Sequence, residues 1–274
     1  MSTLRLVHPF PSFLTSALVF ALALLAGGAT SLALTLAVGM LGLQFCIGVT
    51  NDLFDEAADR SAKPWKPIAA GIVSRPNAWT VAVMAGGGGL ALALAAGGAA
   101  SLVMAAAMLS CGLVYDVRLK RTAWAWLCFS VAFAILPVYA WYGAGGQLPP
   151  RSEFVLPLAA LAGPLIQLSN ALADIEVDAA TGVGTLATRL GRRNSLLLIG
   201  VLVGLIHGLG WLTLTTSSTA ALLPIAGASM LALVGLGFSA SERPARRQVG
   251  WMIQAAAIAV LGVAWLWVVS APAG

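Results

Sequence analysis

The sequence predicts an all-helical, polytopic membrane protein of nine transmembrane helices, and three observations predict it. Apolar residues fill 59% of 274 positions and charged residues only 9%. Mean hydropathy is +0.92. The apolar residues also fall in successive runs of bilayer length. A soluble domain carries roughly 25% charge, so this chain cannot cover a water-facing surface. A soluble enzyme, a disordered chain and a secreted disulfide scaffold are all excluded.

A helix needs about 20 mainly apolar residues to cross a hydrocarbon core of roughly 30 Å. The first run, 13–27, follows Pro9-Phe10-Pro11 and lacks a small-residue cleavage site, so it reads as a retained helix. The second, 31–50, ends at Asn51. The third and fourth, 78–96 and 100–115, are parted by Gly97-Gly98, and the third holds Gly86-Gly87-Gly88-Gly89. The fifth and sixth are 123–142 and 154–173. The seventh, 195–215, carries Gly204 and Gly208; 220–238 and 249–270 complete the set. The glycines predict close helix packing, and Trp265 and Trp267 predict interfacial anchors. Nine spans use about 180 positions, which leaves one integral-membrane domain over 1–274.

With this count, the N-terminus and the connections after spans two, four, six and eight share one side. They hold fourteen of the fifteen basic residues; only Arg151 falls opposite. By the positive-inside rule that side is cytoplasmic, and the expected location is the cell inner membrane. The net charge of +5 is thereby accounted for without a nucleic-acid partner. Cys46, Cys111 and Cys128 lie in or beside apolar runs, lack metal-site spacing and are odd in number, so they read as buried free thiols. His8 and His207 stand apart and read as packing or interfacial residues.

Eight of the ten acidic residues sit in three short stretches on the cytoplasmic side. Asp52, Asp55, Glu56 and Asp59 form one, Asp116 another, and Asp174, Glu176 and Asp178 the third. Asn51-x3-Asp55-x3-Asp59 and Asn170-x3-Asp174-x3-Asp178 repeat one pattern at two helix ends. Steps of four return to nearly the same helix face. Each stripe therefore offers one amide and two carboxylates, all hard oxygen ligands, with Asp52 about 100° away from its own stripe. Two such stripes facing each other make a negative cavity that calls for cations. Mg²⁺ fits, because it prefers oxygen and binds through a few carboxylates plus substrate phosphates; zinc lacks a His/Cys set.

Basic residues follow the acids: Arg60, Lys63 and Lys66, then Arg118, Lys120 and Arg121. Carboxylate stripes, Mg²⁺ and nearby guanidinium or ammonium donors together describe a diphosphate site. An ion transporter would place its carboxylates near the bilayer midplane, whereas these lie at helix ends.

Asn51-Asp52-Leu53-Phe54-Asp55-Glu56-Ala57-Ala58-Asp59 resembles the first signature of the UbiA superfamily of intramembrane prenyltransferases. Lys66-Pro67-Ile68 with Gly71 resembles its continuation, with Lys where Arg is commoner. Tyr115-Asp116-Val117-Arg118-Leu119-Lys120-Arg121 resembles the family's loop after the fourth helix. Asp174-Ile175-Glu176-Val177-Asp178, running on to Gly182-Val183-Gly184-Thr185-Leu186 and Arg189-Leu190-Gly191, resembles the second signature. His8-Pro9 stands where many relatives carry Arg-Pro.

The resemblance implies nine helices around a central cavity and Mg²⁺-dependent transfer of an isoprenoid chain from a prenyl diphosphate to an aromatic or other small acceptor. Asn51, Asp52, Asp55 and Asp59 would serve one metal, and Asn170, Asp174 and Asp178 the other. Asp55, Asp59, Asp174 and Asp178 would be the catalytic core of these sets. Arg60, Lys66, Arg118, Lys120 and Arg121 would hold diphosphate oxygens, and Tyr115 would orient substrate. Membrane lipid would flank the isoprenoid tail, and Trp65, Tyr139 and Trp141 are candidates for steadying an allylic cation. A terpene cyclase of the same fold, working without an acceptor, is the alternative.

Overall fold

The computed structural model describes residues 3–148, 152–213 and 219–270. Arg151 and the end of the seventh apolar run lie outside them. After a 3₁₀ turn at Thr3–Val7, α1 is Pro9–Leu25, α2 Thr30–Ala62 and α3 Arg75–Val114, continued by a π-helical segment at Tyr115–Leu119. α4 is Trp126–Gly143, α5 Ser152–Ala173, α6 Ile175–Ala180, α7 Leu186–Leu212, α8 Thr219–Ser239 and α9 Pro244–Ser270. In lipid no water satisfies the backbone, so each segment must close its own hydrogen bonds as helix. Among the described residues there is no strand.

Among the described residues, seven helices are long and apolar enough to cross a membrane, and α1 is an apolar helix of 17 residues. α3 is two limbs. Gly97 and Gly98 leave helical geometry, Gly98 at φ 64°, a region open to glycine and costly to other residues. A Cβ on Gly86 would lie 3.8 Å from Cδ2 of Leu109. On an unbroken helix those residues would be about 34 Å apart, so the limbs fold back on one another. With α1 and the second limb of α3 included, the described residues supply the nine apolar limbs that the sequence predicts.

Two compact units emerge. The first, residues 1–118 with 138–147, packs α2 against α1 and both limbs of α3. Leu36, Met40 and Leu43 of α2 are fully buried there. Its second cluster, at the charged end of α2, joins Val49 and Leu53 to Leu6, Ile68 and Ala78. In the second unit, residues 119–137 with 148–274, α5 packs on α7 and α9, and α8 on α9. Leu165, Leu168, Ile199, Ile225 and Leu261 form its core.

Several expectations change in detail. α2 continues to Ala62, well past the apolar run, so the whole first acidic stretch is helical. α7 begins at Leu186 and is kinked at Gly191, φ 74°; the cations at 189–193 hid its start. In the glycine run, Gly86 meets Cys46 and Gly89 meets Leu43 and the backbone of Gly39, whereas Gly87 and Gly88 face open space. Gly204 and Gly208 also face open space; Gly210 is the residue that meets Leu261. Trp265 is buried within the protein and donates from Nε1 to Oγ1 of Thr213 at 2.8 Å. None of the three cysteines forms a disulfide, and Cys46 and Cys128 are buried as predicted, whereas Cys111 is half-buried.

Candidate functional site

The extension of α2 carries the first acidic set. Asn51 donates from Nδ2 to Oδ1 of Asp116 at 2.8 Å, and Asp116 lies buried in the π-helical segment. Such segments are frequent at functional sites. Asp52 is 1% exposed; its Oδ1 accepts from Nε2 of His8 at 2.9 Å and pairs with Nζ of Lys66 at 2.8 Å. Lys66 also pairs with Oδ2 of Asp59 at 2.7 Å. Helical arithmetic explains the sharing, because seven residues make nearly two turns and leave Asp52 and Asp59 only about 20° apart. A row of fours drifts about 40° per step, so Asp59 has moved toward Asp52 and away from Asn51. Asp55, one turn beyond Asn51, is half-buried.

Local sequence delivers Lys66 to this face. The amides of Ile72 and Val73 both donate to the carbonyl of Pro67, and Gly71 at φ 71° lets the loop turn. Ile68 is buried beneath the helix end. Burial acts to lower the pKa of Lys66, but the carboxylates of Asp52 and Asp59 outweigh it and hold the ammonium above its ordinary value. Glu56, on the neighbouring face, pairs with Arg60 at 2.7 Å and with Arg75. Arg60 is therefore engaged on its own helix.

His8 reaches Asp52 because Gly48 lets it. A Cβ at position 48 would lie 3.1 Å from Cδ2 of His8. His8 itself adopts φ 46°, unusual outside glycine. The sequence suggests a packing or interfacial role for His8; the structure gives it a carboxylate partner 44 positions away. His207 does pack, with Nδ1 3.1 Å from Oγ of Ser229.

The second acidic set lies in the second unit. Asn170 belongs to the last turn of α5, Asp174 occupies a non-helical break (φ −106°, ψ 11°), and Asp178 lies in α6. The continuous helical stripe predicted from the spacing is thus interrupted at its middle residue. Asp178 still donates its amide to the carbonyl of Asp174 at 3.0 Å. Asp174 and Asp178 are half-buried. Glu176 turns elsewhere and pairs with Arg247, a buried cation that sequence reasoning counted only as topological charge. Thr185 caps α7 by accepting from the amide of Thr188 at 3.3 Å, which orders the glycine-rich turn after Asp178.

Among the other predicted residues, Tyr115 and Lys120 are half-buried, and Arg118 and Arg121 exposed. Trp65 is exposed. Tyr139 is buried and donates to the carbonyl of Leu36 at 3.4 Å. Leu36 precedes Asp52 by sixteen positions, about 24 Å along α2. Trp141 donates to Gln147 at 2.7 Å in the same far region. Tyr139 and Trp141 are therefore remote from the first acidic set.

Among the described residues, no three His, Cys, Asp or Glu side chains gather tightly enough to hold a metal alone. Mg²⁺ needs no such cage, since it keeps waters and takes oxygens from a bound phosphate. The donor chemistry fits it: Asn and Asp oxygens only, with Oδ2 of Asp52 buried and lacking a hydrogen-bond partner.

The chain is similar to known proteins in sequence and fold. The model of the UbiA prenyltransferase family matches residues 12–254. Digeranylgeranylglyceryl phosphate synthase of Hyperthermus butylicus is 31% identical over 172 residues, 58% of this chain and 55% of that one. Probable homogentisate phytyltransferase 2 of Oryza sativa subsp. japonica is 29% identical over 164 residues, 56% and 43% of the two chains. The chain spans about half the length of the curated relatives it matches. In fold it is similar to a UbiA homologue from Aeropyrum pernix K1, with a TM-score of 0.75 at 16% identity over 92% of this chain and 96% of that one. A UbiA homologue from Archaeoglobus fulgidus bound to DMAPP and Mg²⁺ gives 0.73 at 17% identity, covering 98% and 99%. A family match over most of the chain, with both acidic sets inside it, settles its kinship: the chain belongs to the UbiA prenyltransferase family.

Proposed function

We propose that this protein transfers an isoprenoid chain from a prenyl diphosphate to an aromatic or other lipophilic-pathway acceptor, with Mg²⁺ as cofactor. One observation carries the reading: two Asn-x3-Asp-x3-Asp sets at helix ends, both inside the family match. The Archaeoglobus homologue's bound DMAPP and Mg²⁺ and the name of the Hyperthermus relative support it.

Asn51, Asp52, Asp55 and Asp59 would hold Mg²⁺ in one set, and Asn170, Asp174 and Asp178 in the other. Bound there, Mg²⁺ supplies Lewis-acid neutralisation of a departing diphosphate. The chain's cations do the rest of the electrostatic work. Lys66, Arg118, Lys120 and Arg121 would grip diphosphate oxygens, with Arg60 released from Glu56 to join them. Tyr115 would orient the substrate. The bond between the allylic carbon and oxygen breaks with its electron pair on diphosphate. The acceptor carbon then bonds to the allylic carbon and gives up its proton to water. Residues 1–274 would work as one catalytic domain in the cell inner membrane, with the acidic sets on the cytoplasmic side, as the charge asymmetry favours.

The test is product identity. Purified protein with geranyl, farnesyl and geranylgeranyl diphosphates, Mg²⁺ and an aromatic-acid panel should give prenylated acceptor by mass spectrometry. A cyclic hydrocarbon formed without any acceptor would overturn the transfer reading in favour of a cyclase.

A further inference from the structure

Asp174 sits at a helix break, and a single buried arginine grips the chain on both sides of it. The last carbonyls of an α-helix have no intrahelical partner. At the end of α5, one of them, on Ala173, accepts from Nη2 of Arg247 at 3.4 Å. The same nitrogen pairs with the carboxylate of Glu176. Its two contacts thus fall on the residue immediately before Asp174 and on the residue two positions after it.

The other end of the guanidinium is fixed elsewhere. Nη1 donates to the carbonyls of Ser241 at 3.3 Å and Glu242 at 2.9 Å, in the turn that leads into α9. That turn is itself held from α7, where Nη2 of Arg192 donates to the carbonyl of Ala240 at 2.7 Å. Arg247 is 1% exposed, while Arg243 and Arg246 in the same stretch face solvent. A buried charge is costly unless it is paired and hydrogen-bonded. A planar fork of five donors can meet four acceptors lying in two directions, which a lysine ammonium cannot. Positive-inside topology would be served by an exposed arginine and accounts for neither this burial nor these partners.

We propose that Arg247 is a positioning residue for the second acidic set. By clamping Ala173 and Glu176 to the α8–α9 turn, it fixes the break that sets Asp174 against Asp178 and so determines how tightly that set takes Mg²⁺. This rests on the Mg²⁺-dependent function proposed above. Arg247 touches neither substrate nor metal in this scheme; it acts through Glu176 and the backbone.

The test uses the full chain purified in detergent, with variants Glu176→Gln, Arg247→Lys, Arg247→Gln and the double Glu176→Gln/Arg247→Gln. Two quantities are read: the Mg²⁺ concentration for half-maximal prenyl diphosphate turnover, and Mn²⁺ binding without substrate by electron paramagnetic resonance. Residues that orient metal ligands change metal affinity by about tenfold or more. Glu176→Gln and Arg247→Lys should therefore raise half-saturating Mg²⁺ by about tenfold, with most turnover recovered at saturating Mg²⁺. The double variant should be no worse than Arg247→Gln, because both changes break one clamp. If Arg247→Gln does not fold, Glu176→Gln carries the test, since Glu176 is half in solvent. Wild-type Mg²⁺ saturation in both Glu176→Gln and Arg247→Lys overturns the inference and leaves the proposed function standing. A wild-type protein that neither binds Mn²⁺ nor consumes prenyl diphosphate overturns both.

Discussion

Lys66 shares one ammonium group between two carboxylates, Asp52 at 2.8 Å and Asp59 at 2.7 Å. Removing one partner of a buried ion network leaves charge uncompensated, at a cost of about 3 kcal/mol. Lys66→Met should therefore lower the thermal midpoint clearly, and Lys66→Arg should lower it less. The pH dependence follows from the raised pKa of Lys66. A cation whose folded pKa exceeds its unfolded value contributes in full below about pH 10.4. That contribution is lost as pH rises through the folded value. Wild type should lose stability above about pH 10 more steeply than Lys66→Met. Parallel curves above pH 10 would contradict the pairing. Of the candidate site, the shared helix of Asn51, Asp55 and Asp59 was legible in sequence, whereas the turn of Asp59 toward Asp52 was passed over because a row of fours drifts. The partners of His8 and Arg247 were not legible, because they lie 44 and 71 positions away and local periodicity carries no information over such separations.

At the scale of elements, close helix contacts rest on missing side chains. A Cβ on Gly163 of α5 would come within 2.3 Å of the backbone nitrogen of Ser130 on α4. Gly163→Val should destabilise the second unit by about 1–3 kcal/mol through overpacking, read as a lower thermal midpoint. Gly87→Ala, facing open space on α3, should leave that midpoint unchanged or slightly raised. The boundary between the two limbs of α3 was readable because Gly97-Gly98 interrupts the apolar run. The true end of α2 and start of α7 were not readable from hydropathy. Charged residues end an apolar run without ending a helix, and here they continue α2 by three turns to Ala62. The interruption at Asp174 was equally hidden, since Asn170-x3-Asp174-x3-Asp178 reads as unbroken helix and the clamp from Arg247 is a tertiary contact.

For the molecule as a whole, composition alone fixed the class, and the nine limbs followed from run length. The asymmetry of charge carries a prediction about orientation. Single cysteines introduced at Gly71 and at Gly145, in a chain whose own three cysteines are replaced, should label from opposite sides of sealed membrane vesicles, with position 71 on the cytoplasmic face. Labelling of both from one side would contradict the topology.

The role proposed for both acidic sets is Mg²⁺-dependent loss of diphosphate. Its most direct measurement is diphosphate release from a prenyl diphosphate by wild type, Asp55→Asn and Asp174→Asn, each with Mg²⁺ and with EDTA. Metal neutralisation of a leaving group is worth several kcal/mol, and each 1.36 kcal/mol is a factor of ten in rate. Wild type should release diphosphate in a reaction that EDTA abolishes, and each variant should fall by about 100-fold or more with its thermal midpoint preserved. Full release by either folded variant, or release unaffected by EDTA, would contradict it.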